Sequence, residues 1–142
     1  MALALSLGRR GMGRVWPNPA VGCVIAKNGQ IIGRGWTADG GRPHAETRAL
    51  AQAGPDANGA TAYVTLEPCA HQGQTPPCAQ ALIDAKVSRV VVAVADPDTR
   101  VAGRGNQMLR DAGITVDVGV CATEAMKDHA GFLLRVTNGR PF

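Results

Sequence analysis

The chain has 142 residues, 45% of them apolar and 18% charged, which at about 150 residues per domain points to one compact domain spanning 1–142 and excludes a second. A mean hydropathy of -0.03 excludes wholesale disorder, and the longest wholly apolar run, residues 90–95, is far short of the roughly 20 residues that span a bilayer. The net charge of +4 suits an anionic ligand, but the basic residues are too scattered to mark a nucleic-acid surface.

Residues 2–7 are rich in Ala and Leu and suit a short helix, which the glycines between 8 and 13 end. Prolines 17 and 19 push their preceding residues out of the helical region, so 16–19 should be extended. Residues 21–26 and 30–36 read as two strands joined by the Asn28-Gly29 hairpin signal, and therefore as an antiparallel pair. Residues 45–53 form a helix that stops at Gly54-Pro55, and 60–66 a strand. A loop over 67–77 leads into a helix over 78–85. The β-branched run 87–95 predicts a strand covered on both faces, at the sheet centre. A short helix within 103–113, a strand over 114–118 and a helix over 122–134 complete the chain, with His129 on the last helix's surface. Strands alternating with helices after the first hairpin give an α/β fold, a three-layer α/β/α sandwich around a mixed five-stranded sheet that is parallel on its second side.

The chemistry concentrates in three places. His44-Ala45-Glu46 opens a helix, and Pro68-Cys69 and then Cys78 follow in the next strand-loop-helix unit. Imidazole and thiolate donors favour zinc, and three protein ligands, His44, Cys69 and Cys78, leave a fourth tetrahedral position for water, as catalytic sites do. Residues two apart in a helix point to nearly opposite sides, so His44 and Glu46 converge only if His44 stands at the helix entry with non-helical geometry. Zinc supplies hydroxide at neutral pH, and an uncoordinated Glu46 can take the proton and deliver it to a leaving group, which is hydrolytic deamination. Zinc deaminases carry His-x-Glu followed by Pro-Cys-x-x-Cys. Here eight residues rather than two separate the cysteines, a stiffened flap that would bring His71 and Gln74 over the substrate. The amino end, with Arg9, Arg10 and Arg14 after a brief apolar stretch, lacks signal-peptide order, so a reducing, cytoplasmic setting is expected, and disulfides are the weaker account of Cys23, Cys69, Cys78 and Cys121. Cys23 lies within a strand and should be a packed core thiol, whereas Glu67 is balanced between catalysis and tying down its loop through backbone N–H groups. Arg34 and Arg42 could supply positive potential near the pocket, with solvated surface the default for each.

These motifs resemble a known family, the riboflavin-biosynthesis deaminases that act on diaminohydroxyphosphoribosylaminopyrimidine, within the cytidine deaminase-like superfamily. The likeness covers nearly the whole chain. It rests on Pro17-Asn18-Pro19 with Val21-Gly22, on Pro43-His44-Ala45-Glu46, on the stretch 63–71, on Gly73 with Thr75-Pro76-Pro77-Cys78, and on Asp96-Pro97 with the stretch 101–105. The resemblance implies zinc held by His44, Cys69 and Cys78, proton transfer by Glu46, substrate contacts from Asn18 and His71, and a homo-oligomer. It also implies a small phosphorylated aminopyrimidine as substrate, with neither nucleic acid nor membrane as partner. Gln74 stands where the family usually has Lys or Arg, and Thr37 where a His is frequent, so phosphate binding here would fall to hydrogen bonds from Gln74 and Thr37 or to another cation. Residues 131–142 resemble the joint to a reductase domain, absent from this chain, so no NADPH site is expected in it. Two other functions compete: a base deaminase acting on nucleosides or nucleic acid with the same zinc chemistry, and a zinc-stabilised scaffold, which would need a fourth protein ligand.

Overall fold

A computed structural model describes residues 1–73, 75–98 and 101–138, with side chains described as far as 136. The elements in chain order are α1 (Ala2–Arg9), β1 (Gly22–Lys27), β2 (Gln30–Trp36), α2 (Ala45–Ala53), β3 (Thr61–Val64), α3 (Cys78–Asp84), β4 (Arg89–Val92), α4 (Arg104–Asp111), β5 (Thr115–Val118), α5 (Ala122–Asp128) and α6 (Ala130–Asn138). The sheet runs β2-β1-β3-β4-β5, antiparallel through β3 and parallel from β3 to β5. Asn28 and Gly29 both take positive φ, 53° and 77°, which is what a two-residue hairpin turn between twisted strands requires.

Strand alternation divides the core. Cys23, Ile25, Ala62, Val64, Val90 and Val92 point to one face and bury Ala45, Ala49 and Ala53 of α2, Leu82 of α3 and Leu109 of α4. On the other face Val24 and Tyr63 meet Ala4 and Leu7 of α1, while Ala93 packs with Leu5 and with Ala125 of α5. This is the three-layer sandwich. Two close approaches depend on glycine: a Cβ on Gly35 would come within 2.2 Å of the Ala45 carbonyl oxygen in α2, and one on Gly22 within 1.7 Å of Ala4 O in α1.

Several expectations change. The central strand is β3, because it alone joins the antiparallel hairpin to the parallel half; the apolar run at 87–95 reflects helices on both faces rather than central position, and only Arg89–Val92 is strand. Residues 15–18 make a turn, with Asn18 N–H donating to Val15 O at 2.8 Å, instead of an extended segment. The last helix breaks at His129, which is 2% exposed rather than on the surface and has its Nε2 3.2 Å from Thr65 Oγ1. The break follows from that burial: a continuous helix would not carry His129 inward and also turn α6 toward the site.

Candidate metal centre and its cavity

His44 is the residue before α2 and has extended backbone, φ -71° and ψ 162°, so its ring leaves the helix entry while Glu46 sits within the first turn. The non-helical entry that convergence demanded is present. Cys69 lies on the loop after β3, and Cys78 is the first residue of α3. The Cys78 N–H donates to Cys69 Sγ at 3.2 Å, and the Ala79 N–H to Cys69 O at 3.0 Å, so the helix start and the loop are fastened together. His44 Nδ1 stands 3.3 Å from Cys78 Sγ. One donor atom from each of His44, Cys69 and Cys78 lies within 4.8 Å of the others.

One nitrogen and two sulfurs at that spacing fit zinc, and the three donors match a site with an open fourth position. The thiols are prepared for metal. A hydrogen bond from the Cys78 thiol and another from His44 bring Cys69 down to about 4, whereas that same bond to Cys69, with burial, pushes Cys78 far up. The pair therefore holds one proton that a cation can displace. His44 is raised by its hydrogen bond to Cys69. Glu46 is 4% exposed, and burial pushes its carboxyl up to about 7, where a group can both accept and give a proton near neutrality.

His44, Glu46 and Cys69 open into a cavity of about 280 Å³. Asn18, Thr37, Arg42 and His71 line it too, as do Asp96 and, from α6, Phe132 and Arg135. Asn18 lies across Gly41, where a Cβ would come within 1.9 Å of its Nδ2, so the glycine leaves the room its carboxamide needs. Thr37 is in the wall, but its hydroxyl accepts from Val21 N–H at 3.0 Å and donates to Pro19 O at 3.1 Å. Its proton is thus committed to backbone, and Thr37 shapes the wall rather than offering a donor to a ligand. His71 is exposed at the mouth. Gln74 lies outside the described residues, as do residues 139–142 of the expected joint.

Glu67 resolves in favour of a tether. Oε1 accepts from the N–H groups of Asp96 at 3.0 Å and Gly103 at 3.1 Å, and Oε2 from Asn106 at 3.0 Å, which caps the start of α4. Burial raises the Asp96 carboxyl from its ordinary range. Cys23 is a fully buried thiol, pushed up chiefly by that burial. Phe132 and Arg135 were not legible as cavity residues, because only the break at His129 turns their helix inward.

The family described as cytidine and deoxycytidylate deaminase zinc-binding region matches residues 1–94, which include the whole donor set and Glu46. The chain belongs to this zinc-binding deaminase family. Among family members, it is 54% identical over 142 residues to riboflavin biosynthesis protein RibD of Haemophilus influenzae, a match covering 100% of this chain and 38% of that protein. It is 44% identical over 141 residues to the diaminohydroxyphosphoribosylamino-pyrimidine deaminase of Buchnera aphidicola subsp. Schizaphis graminum, with 99% of this chain and 96% of that deaminase covered. The solved structure of Acinetobacter baumannii RibD, form 2, superposes at a TM-score of 0.96 and 54% identity, over 99% of this chain and 40% of that one. The chain thus spans about two-fifths of the length of these RibD relatives and nearly all of the Buchnera deaminase. The zinc-deaminase fold expected from the motifs is the fold observed.

Proposed function

We propose that this chain is a zinc-dependent hydrolase that deaminates diaminohydroxyphosphoribosylaminopyrimidine, giving the aminopyrimidinedione phosphate and ammonia in riboflavin biosynthesis. The observation that carries the reading is the convergence of His44, Cys69 and Cys78, with His44, Cys69 and the buried Glu46 opening into the 280 Å³ cavity. His44, Cys69 and Cys78 would hold the metal. Zinc bound there would lower the pKa of a water and so make available at neutral pH the nucleophile that deamination of the ring carbon needs. Glu46 takes a proton from the attacking water and delivers it to the departing nitrogen. The C–N bond breaks as the C–O bond is kept, so water and the amine become a carbonyl and ammonia. A carboxyl near 7 suits both halves of that transfer.

Asn18 and His71 contact the pyrimidine in this reading, and the cavity, at about 280 Å³, has room for a small molecule. The deaminase domain runs over 1–142, acts in the cytoplasm and assembles with copies of itself. Among the described residues no helix is long and apolar enough to cross a membrane.

Ammonia release from the phosphoribosyl diaminopyrimidine, measured beside cytidine, cytosine and an adenosine-containing RNA hairpin, tests the proposal. Selective turnover of the first supports it. Turnover only of another base would keep the zinc chemistry and discard this substrate.

A further inference from the structure

The proposed substrate carries a phosphate, and a phosphate on a small ligand is ordinarily held by guanidinium, ammonium or clustered N–H donors. The cavity already holds three carboxyl groups, from Glu46, Glu67 and Asp96, which repel such a ligand from their part of the wall. Among the described residues, the permanent cations lining it are Arg42 and Arg135. They differ in freedom. Arg135 is fixed: Nη2 donates to Pro17 O, and the guanidinium lies 5.2 Å from the Trp16 ring centroid and 5.3 Å from that of Phe132. Its Nε is buried with no hydrogen-bond acceptor.

Arg42 is exposed at the cavity mouth and reaches across to the flap between the two cysteines. Its Nη1 is 3.4 Å from Thr75 Oγ1, and its Nη2 would stand 3.2 Å from a Cβ built on Gly73. A guanidinium is therefore laid against both neighbours of position 74, where the chain has the uncharged Gln74. Gly73 leaves the room for it. The Thr75 contact is long and exposed, so releasing it for a doubly charged anion costs little, whereas a guanidinium facing phosphate gains the attraction of opposite charges and can form two parallel N–H···O bonds.

We infer that Arg42, laid along the flap, is the phosphate-binding residue of this site, with Arg135 adding a fixed positive charge to the same cavity. This assignment rests on the proposed function for its ligand. It places the specificity of the enzyme for phosphorylated over unphosphorylated pyrimidines in a residue of the loop that leads to His44.

The test compares kcat/KM for the phosphoribosyl diaminopyrimidine and its dephosphorylated ribosyl counterpart in wild type, Arg42→Gln and Arg42→Lys, alongside calorimetric binding of ribose 5-phosphate to the zinc-loaded protein. In Arg42→Gln the phosphorylated-to-dephosphorylated ratio is expected to fall about tenfold or more, mostly through KM, and ribose 5-phosphate affinity to fall with it. Arg42→Lys should recover part of both. An unchanged ratio, or equal loss on both substrates, would overturn the assignment. If wild type deaminates neither pyrimidine yet binds ribose 5-phosphate through Arg42, the phosphate site stands and the substrate is wrong. Turnover with an Arg42-independent phosphate preference means the reverse.

Discussion

Replacing Glu46 with Gln keeps its size and hydrogen-bonding shape but removes the proton carrier. Ammonia release should fall by at least about 10²-fold while zinc content, measured by elemental analysis, is kept; loss of both together would make Glu46 a structural residue. The same carboxyl leaves a signature in the metal-free protein. It titrates near 7 in the fold against 4.5 when unperturbed, so its contribution to stability is full below about 4.5 and is lost as pH rises through 7. Metal-free Glu46→Gln should accordingly melt above metal-free wild type on the alkaline side of 7, with the gap closing toward 4.5. His129 behaves oppositely. Burial holds its imidazole below the usual 6.5, so its share of stability is present above 6.5 and fades as pH falls through the lower folded value. His129→Gln should flatten the acid limb of the melting-temperature profile; an unchanged limb would show that other groups govern it.

At the scale of elements, the site depends on how closely α2 can approach β2. Gly35→Ala would thrust a methyl at the Ala45 carbonyl oxygen and displace the helix whose entry carries His44. A loss of about 1–3 kcal/mol in denaturant unfolding is expected, with weaker zinc binding, since overpacking is relieved only by backbone movement. Unaltered stability would mean the helix has slack that this packing does not show. What could be read beforehand follows the range of the forces involved. The Asn28-Gly29 turn and the His44 helix entry are local, set by backbone preferences of a few residues, and both were legible. The order of strands and the break at His129 were not. A β-branched run reads the same whether its strand is central or next to an edge, and a buried histidine reads as a surface one until Thr65, 64 residues away, is brought beside it.

For the molecule as a whole, zinc would join a helix entry, a loop and a second helix start that are otherwise held by packing and a few hydrogen bonds. A ligand that binds only the folded state stabilises it by mass action, so chelation should lower the melting temperature and added zinc should raise it with concentration. Cys78→Ser should shrink that response. The donor set itself was legible because His44, Glu46, Cys69 and Cys78 are chemically distinctive at fixed spacings. Arg42 was legible only as one of two arginines that could lend positive potential near the pocket, because nothing in a sequence says whether an arginine faces water or lies along a flap more than thirty residues further on. The measurement that bears most directly on the account is zinc X-ray absorption of the purified chain, wild type and Glu46→Gln. One zinc with two sulfurs, one imidazole nitrogen and one oxygen from solvent, the same in both proteins, is the predicted result. A third sulfur or a second protein nitrogen in the open position would contradict it and make the centre structural.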